Sequence, residues 1–339
     1  VLVVPGPADR DRPTEQGRVV TVAGPVVPGT GGYRVLVARR RLERLLESLA
    51  PDVLEVSDRT TLRWTGWWAA QRGVPSVMVS HESLVRLLRL WRAPAADRVA
   101  DRLNAASAEA YDRVVATTGW AAAEFRRLGV PNLVEVPLGV DLARFHPGRR
   151  DPAVRAQWAA PDELLVVHCS RLSPEKRPEL AIEALAALRA AGVPAVLVVV
   201  GDGPRRAALQ RQAAGLPVRF TSFIPDRVAV AALLASADVA VAPGPVETFG
   251  LAALEALACG TPVVVNAASA LPEVVGGAGI AAAGTGGDLA AAVRELLGRP
   301  APARRAAARA RAERFGWPAA VDGLLRVHHE LAGTAVAAR

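Results

Sequence analysis

Short, almost purely apolar runs recur along this chain, each separated from the next by a stretch of helical periodicity, and that alternation is compatible with few folds. In the second half the runs are ELLVVHC (163–169), AVLVVV (195–200), DVAVAP (238–243) and PVVVN (262–266). None has a polar side to turn towards water, so each is expected in a parallel sheet covered by helices on both faces. PELAIEALAALRAAG (178–192) and TFGLAALEALACG (248–260) supply such helices. The first half repeats the scheme with RVVTVAG (18–24), VLEVS (53–57), SVMVSH (76–81), RVVATT (113–118) and LVEVPLGV (133–140). Between them RVLVARRRLERLLESLA (34–50) spaces its apolar residues by three and four, which predicts an amphipathic helix. The expected architecture is α/β, with two doubly wound Rossmann-like domains facing a cleft.

The polar, turn-rich stretch from 146 to 162, with HPGRRDP and AAPDE, marks the expected junction. The units are therefore residues 1–145, residues 146–318, and a closing helix, 319–339, that crosses back to the first domain. The chain opens directly in VLVV, without a preceding strand, glycine loop and helix, so the first domain is expected to lack its N-terminal βα unit.

The apolar runs are far shorter than the roughly 20 residues that span a bilayer. With no secretory pattern either, the expectation is a cytoplasmic protein, at most peripheral at the inner face of the plasma membrane. Cys169 and Cys259 lie in apolar surroundings far apart in sequence, as buried small hydrophobes do. The net charge of +8 is uneven: residues 1–150 carry +6 and the remainder +2. Aromatics are only 4% of the chain and form no stacking platform, which argues against nucleic acid. An anionic membrane surface or a phosphorylated substrate suits the charge better. RWTGWW (63–68) and RLLRLWR (86–92) mix Arg with Trp in the manner of lipid-headgroup or sugar contacts, although packing of the rings is the plainer reading. Of 41 basic residues, 40 are arginine; the one lysine is Lys176.

That lysine lies in SRLSPEK (170–176), where a buried run ends and a helix begins near Pro178. Strand C-termini of open α/β sheets are where ligands bind. Arg171 and Lys176 there suit a diphosphate, the first through its planar fork and the second as a compact charge. A chain that places arginine almost everywhere has a specific use for its single ammonium. The second constellation is PGPVETFGLAALEALACG (243–260), with Glu247 in a loop and Glu255 eight residues on. Thr248 is the expected helix cap, and the amides of Thr248, Phe249, Gly250 and Leu251 form an anion site at the positive end of the helix dipole. Glu255 then lies about 10 Å along the helix. It stands in an otherwise apolar segment, where an unpaired carboxylate is costly. His81 ends a strand of the first half, at the expected cleft; a structural role for it is equally open.

Arg171 and Lys176 at this spacing, GDGP (201–204), Glu247 with Glu255, and PLGVD (137–141) resemble the family-4 retaining glycosyltransferases of the GT-B fold, over nearly the whole chain and most densely from Val136 to Pro272. The resemblance extends to actinobacterial GDP-mannose-dependent mannosyltransferases. It implies transfer of a hexose from a nucleotide diphosphate sugar, with GDP-mannose first and a UDP-hexose second as donor, to a lipid-linked or glycan acceptor. It implies that Arg171 and Lys176 hold the donor phosphates. Thr248, Phe249, Gly250 and Leu251 lie along the sugar and phosphate, with Glu247 at the sugar, Glu255 at the ribose and the backbone near Phe223 and Ile224 at the base. His81 takes the acceptor side, and Glu247 and His81 are the expected catalytic pair. Retention of configuration comes from the family alone. No cofactor is expected, and no metal, since no Asp-x-Asp pair stands with other ligands; the cations of the protein would meet the leaving charge. The chain departs from the family pattern at Ser170, at Ser269-Ala270-Leu271, and in the N-terminal glycine loop, which has no counterpart. Two other readings stay open here: a nucleotide-sugar epimerase, for which His81 and Glu82 would flank the sugar, and a donor-binding protein without turnover.

Overall fold

The computed structural model describes residues 1–27 and 32–337. In the first half the strands are β1 (Leu2–Gly6), β2 (Arg10–Thr14), β3 (Gly17–Ala23), β4 (Leu54–Val56), β5 (Ser76–Ser80), β6 (Arg113–Ala116) and β7 (Leu133–Glu135). The helices among them are α1 (Arg39–Leu49), α2 (Trp64–Gln71), α3 (Leu84–Leu90), α4 (Ala96–Ala110) and α5 (Gly119–Arg126). Strands β4-β5-β6-β7 make one parallel sheet, and β1-β3-β2 a separate one in which β2 runs antiparallel to β3. The β2 hairpin escapes the sequence pattern because all five residues of RDRPT are exposed. The expected helix over 34–50 begins at Arg39; the residues before it are not helical, and Val26 and Arg34 form an antiparallel bridge.

The second half contains α6 (Pro152–Ala156), β8 (Leu164–Cys169), α7 (Glu179–Ala190), β9 (Ala195–Val200), α8 (Arg206–Gln212), β10 (Val218–Ser222) and α9 (Arg227–Ser236). It continues with β11 (Val239–Ala242), α10 (Leu251–Ala258), β12 (Val263–Asn266), α11 (Leu271–Val275), β13 (Gly279–Ala282), α12 (Gly286–Leu297), α13 (Ala301–Glu313) and α14 (Trp317–Ala337). Among the described residues its strands form a parallel sheet in the order β10-β9-β8-β11-β12-β13. Every residue of β9 is buried, as the uniform AVLVVV requires, and each such side chain contributes about 1.5–3 kcal/mol relative to exposure. One core packs α9, α10 and α13 on one face; the other packs α7 and α12 on the opposite face.

The chain crosses between halves twice, and the two crossings lie side by side. Val140 donates its amide to Phe315 at 2.8 Å, forming a parallel bridge with Gly316. Beyond that point Val327 and Leu331 of α14 pack with Val77, Val79, Val115 and Val136 of the first half. His328 Nε2 lies 3.0 Å from Glu55 Oε2. Arginines of the Ala/Arg helix α13 close otherwise open carbonyls. Arg309 reaches Leu142, Phe145 and Ala258, and Arg305 donates to Ala237 at 2.9 Å at the end of α9.

Candidate functional site

The strand order places β8 between β9, which follows it, and β11, which lies three strands later, so the chain winds away from β8 in both directions. A crevice opens at such a point, outside the carboxyl ends of the strands. The loops after β8 and β11 meet there at backbone distance. A β-carbon on Gly244 would lie 3.1 Å from the Glu175 carbonyl oxygen and 3.2 Å from Lys176 Cα. A small cavity between them is lined by His168, Ser170, Lys176, Glu247, Gly250 and Leu271, among others.

Lys176 ends a 3-10 turn, Pro174–Lys176, and turns towards the second loop. Its Nζ donates to Glu247 Oε1 at 2.7 Å, with the two side chains 23% and 18% exposed. Arg171 lies outside this cavity. Its guanidinium is exposed and paired at 3.1 Å with Glu175, which also accepts from Ser173 Oγ at 2.5 Å. The charge of Arg171 is felt across the cleft by Tyr33, whose hydroxyl is held above its ordinary pKa by burial and by Glu82 and Asp58. Below the cavity His168 is fully enclosed, and burial lowers its pKa, so the ring is neutral. Nδ1–H donates to the Val241 carbonyl at 2.9 Å, which leaves Nε2 to accept from Ser170 Oγ at 2.9 Å.

The start of α10 differs from the expectation. Thr248 is not the cap: Gly250 holds that place with φ +82°, a left-handed conformation in which a β-carbon would also lie 2.1 Å from Leu271 Cδ2. The Thr248 hydroxyl instead donates to the His81 carbonyl at 2.6 Å, and the Thr248 carbonyl accepts from Thr117 and Thr118 Oγ1 at 3.3 and 3.0 Å. Phe249 turns its ring into the core, edge-on to Phe315 at 5.8 Å, so only its backbone faces the site. Among the described residues the amides of Thr248, Phe249, Gly250 and Leu251 have no acceptor, and the cap carries no side-chain hydrogen bond. That is the donor array an anion would meet at a helix start.

Glu255 lies four residues into α10, about 6 Å from its start rather than 10 Å. Burial raises its pKa while the adjacent Arg227 opposes the rise. Arg227 pairs with it directly and stacks over Phe145, which resolves the problem of a carboxylate in an apolar helix. Nearby, β10 ends in Ser222 at φ +64°, Phe223 is 71% exposed, and Ile224 is half-buried against the core. Cys169 and Cys259 are free thiols; burial raises them to about 11 and about 12.

His81 follows β5 on the facing side of the cleft, solvent-accessible yet crowded by protein atoms. Desolvation lowers its pKa, with Glu55 opposing and Arg59 reinforcing the shift. Its loop is held from beneath by Arg59, whose Nη1 donates to Ser80 Oγ at 3.0 Å and to Asn104 Oδ1 at 3.2 Å. The Arg/Trp segments divide: Trp68 is buried, Trp64 lies under Arg39, and Trp67 and Trp91 stay exposed.

Two family models match the chain. Residues 1–139 match "Glycosyl transferase 4-like domain" and residues 151–313 match "Glycosyl transferases group 1". A GDP-mannose-dependent alpha-(1-6)-phosphatidylinositol dimannoside mannosyltransferase of Mycobacterium tuberculosis is 52% identical over 327 residues, 96% of this chain and 86% of that protein. The chain belongs to the group 1 glycosyl transferases. A GDP-mannose-dependent alpha-mannosyltransferase of Mycolicibacterium smegmatis is a further relative, 32% identical over 76% of this chain and 67% of its own length. The fold matches HepE of Anabaena, solved with UDP and glucose, with a TM-score of 0.73 at 20% identity, covering 93% of this chain and 86% of that one. This glycosyltransferase therefore has the GT-B fold expected from its motifs.

Several groups at the site of this glycosyltransferase gave no signal in the sequence. Arg227, Thr117 and Thr118 each act on a partner that only folding brings near, whereas Glu175 pairs with Arg171 four residues before it. Glu273 belongs to the Pro-Glu pair that the family pattern marks after Leu271, but its partners were not legible: its two oxygens accept the amides of Gly119 and Trp120 at 2.9 and 3.0 Å, across more than 150 residues of chain.

Proposed function

We propose that the chain transfers mannose from GDP-mannose to a phosphatidylinositol mannoside. The observation that carries this reading is the meeting of Lys176, Glu247 and a helix start without a side-chain hydrogen bond in one crevice, in a chain that is 52% identical to an enzyme named for that reaction. Lys176 and the amides of Phe249, Gly250 and Leu251 receive the diphosphate, and Arg171 leaves Glu175 to join them. Glu247 takes the sugar hydroxyls, Glu255 the ribose, and the backbone at Ile224 the base. The acceptor hydroxyl attacks C1 on the face from which the diphosphate departs. The new C–O bond forms as the old one breaks, and the leaving phosphate takes the acceptor's proton. Lys176, Arg171 and the helix amides stabilise the charge that develops on it. His81, neutral because its pKa is lowered, accepts a hydrogen bond from the acceptor hydroxyl and orients it.

The acceptor is a lipid, so the protein works at a membrane face. No helix among the described residues is long and apolar enough to cross one. The connection from α3 to α4 supplies a peripheral contact: Trp91 is 64% exposed, and Arg92 and Ala95 are left-handed non-glycine residues at φ 55° and 51°.

Incubating the protein with labelled GDP-mannose and vesicles containing phosphatidylinositol mannosides tests the reading. Labelled lipid one hexose larger is the expected product. Transfer from UDP-glucose but not from GDP-mannose would overturn the donor, and release of an epimerised nucleotide sugar would overturn transfer.

A further inference from the structure

Four consecutive residues after β6 extend across the cleft to the donor side. Thr117 and Thr118 donate their hydroxyls to the Thr248 carbonyl, and the amides of Gly119 and Trp120 donate to the two carboxylate oxygens of Glu273. The first turn of α5 thus has its donors divided between two domains. Its own cap, Thr118 Oγ1, accepts from Ala121 N at 3.1 Å, and the remaining pair is satisfied by Glu273. Charge-assisted bonds to an anion at a helix N-terminus are stronger than neutral ones.

Glu273 is also tied to the donor loop. It lies on α11, and Ala270, the residue just before that helix, donates its amide to the Glu247 carbonyl at 2.9 Å. The next residue, Leu271, lies so close to Gly250 that no side chain fits between them. From behind, Arg311 Nε donates to the Val274 carbonyl at 2.8 Å and its Nη2 to the Glu273 carbonyl at 2.5 Å. Any displacement of α11 therefore moves Glu247 and the helix start with it.

We propose that Glu273 is a positioning residue for transfer: its carboxylate docks on the N-terminus of α5, so that closing the cleft and setting Glu247 against the acceptor domain are one event. The proposal rests on the reading of Glu247 as the group that holds the donor sugar. In an open cleft the carboxylate and both amides return to water. Nucleotide still binds, since the groups assigned to it lie in the second half, but the sugar is not presented to the acceptor.

Glu273→Ala and Glu273→Gln in the full chain test this through kcat for mannosyl transfer, the Kd for GDP by calorimetry, and the radius of gyration of the GDP-bound protein by X-ray scattering. Loss of the docked charge is expected to lower kcat about tenfold or more in the Ala variant. The Gln variant, which keeps one acceptor oxygen without the charge, falls between Ala and wild type. The Kd for GDP stays within about twofold, and the radius of gyration rises in the Ala variant. Unchanged kcat, or a lowered kcat with an unchanged radius of gyration, overturns the proposal. Should the Ala variant fail to fold, the Gln variant and Thr117→Val decide, and wild-type kcat in both overturns it. Failure of wild type to bind GDP would instead refute the donor site, and scattering from the nucleotide-free wild type and Ala variant would then judge the docking of Glu273, an equal radius of gyration overturning it.

Discussion

Replacing Lys176 by Met keeps most of the side chain's length and removes its only charge. The ammonium lies 2.7 Å from Glu247, with both side chains about four-fifths buried. At an effective dielectric of about 20 the Coulomb attraction at that distance is about 6 kcal/mol, most of it offset by the desolvation of both groups. Breaking a fully buried pair costs about 3–5 kcal/mol; with a fifth of each side chain still in water, about 1–3 kcal/mol of stability is at stake. The catalytic loss is larger. Removing one preorganised donor from a developing anion costs about 2.7–4 kcal/mol, or about 10²–10³ in kcat. Lys176→Met should thus lower the rate of mannosyl transfer by two to three orders of magnitude, measured as initial rates against GDP-mannose at fixed ionic strength, beside a urea titration of stability. Lys176→Arg should recover less than about a tenth of the activity, because a planar fork does not occupy the place of a point charge. A Lys176→Met protein within about threefold of wild-type kcat/KM would refute the assignment.

Gly250→Ala forces a β-carbon into a left-handed backbone and against Leu271, and about 2–4 kcal/mol of destabilisation follows; an unchanged urea midpoint would show that this turn is not what caps α10. His168 gives a pH signature. Its folded pKa lies below the ordinary 6.5 because it is buried, so the unfolded chain takes up a proton that the folded one refuses. Stability is complete above pH 6.5 and declines as pH falls from there through the lower folded value, with His81 adding an effect of the same sign. Urea midpoints between pH 7 and 5 should fall in wild type and flatten in His168→Gln; equal slopes in the two would rule this histidine out.

Much of this was legible in the residues themselves. The apolar runs, the helical periodicity and the odd lysine report local circumstances: which face of an element meets water, and where one charge type is not interchangeable with another. Those signals identified the α/β architecture and led to Lys176, Glu247 and Glu255. Where they fell short, the deciding contacts were long-range. Thr248 reads as a helix cap, yet its hydroxyl is taken by a carbonyl 167 residues earlier and Gly250 caps the helix instead. The ring of Phe249 is core, which leaves only its amide to the site. Arg227 beside Glu255, and Glu273 on the amides of α5, follow no spacing at all. The exposed β2 strand had no buried side to betray it. Periodicity records the environment along one element, whereas the partner of a hydroxyl or a carboxylate is set by how two sheets come to face each other, and that is fixed only when both cores have formed.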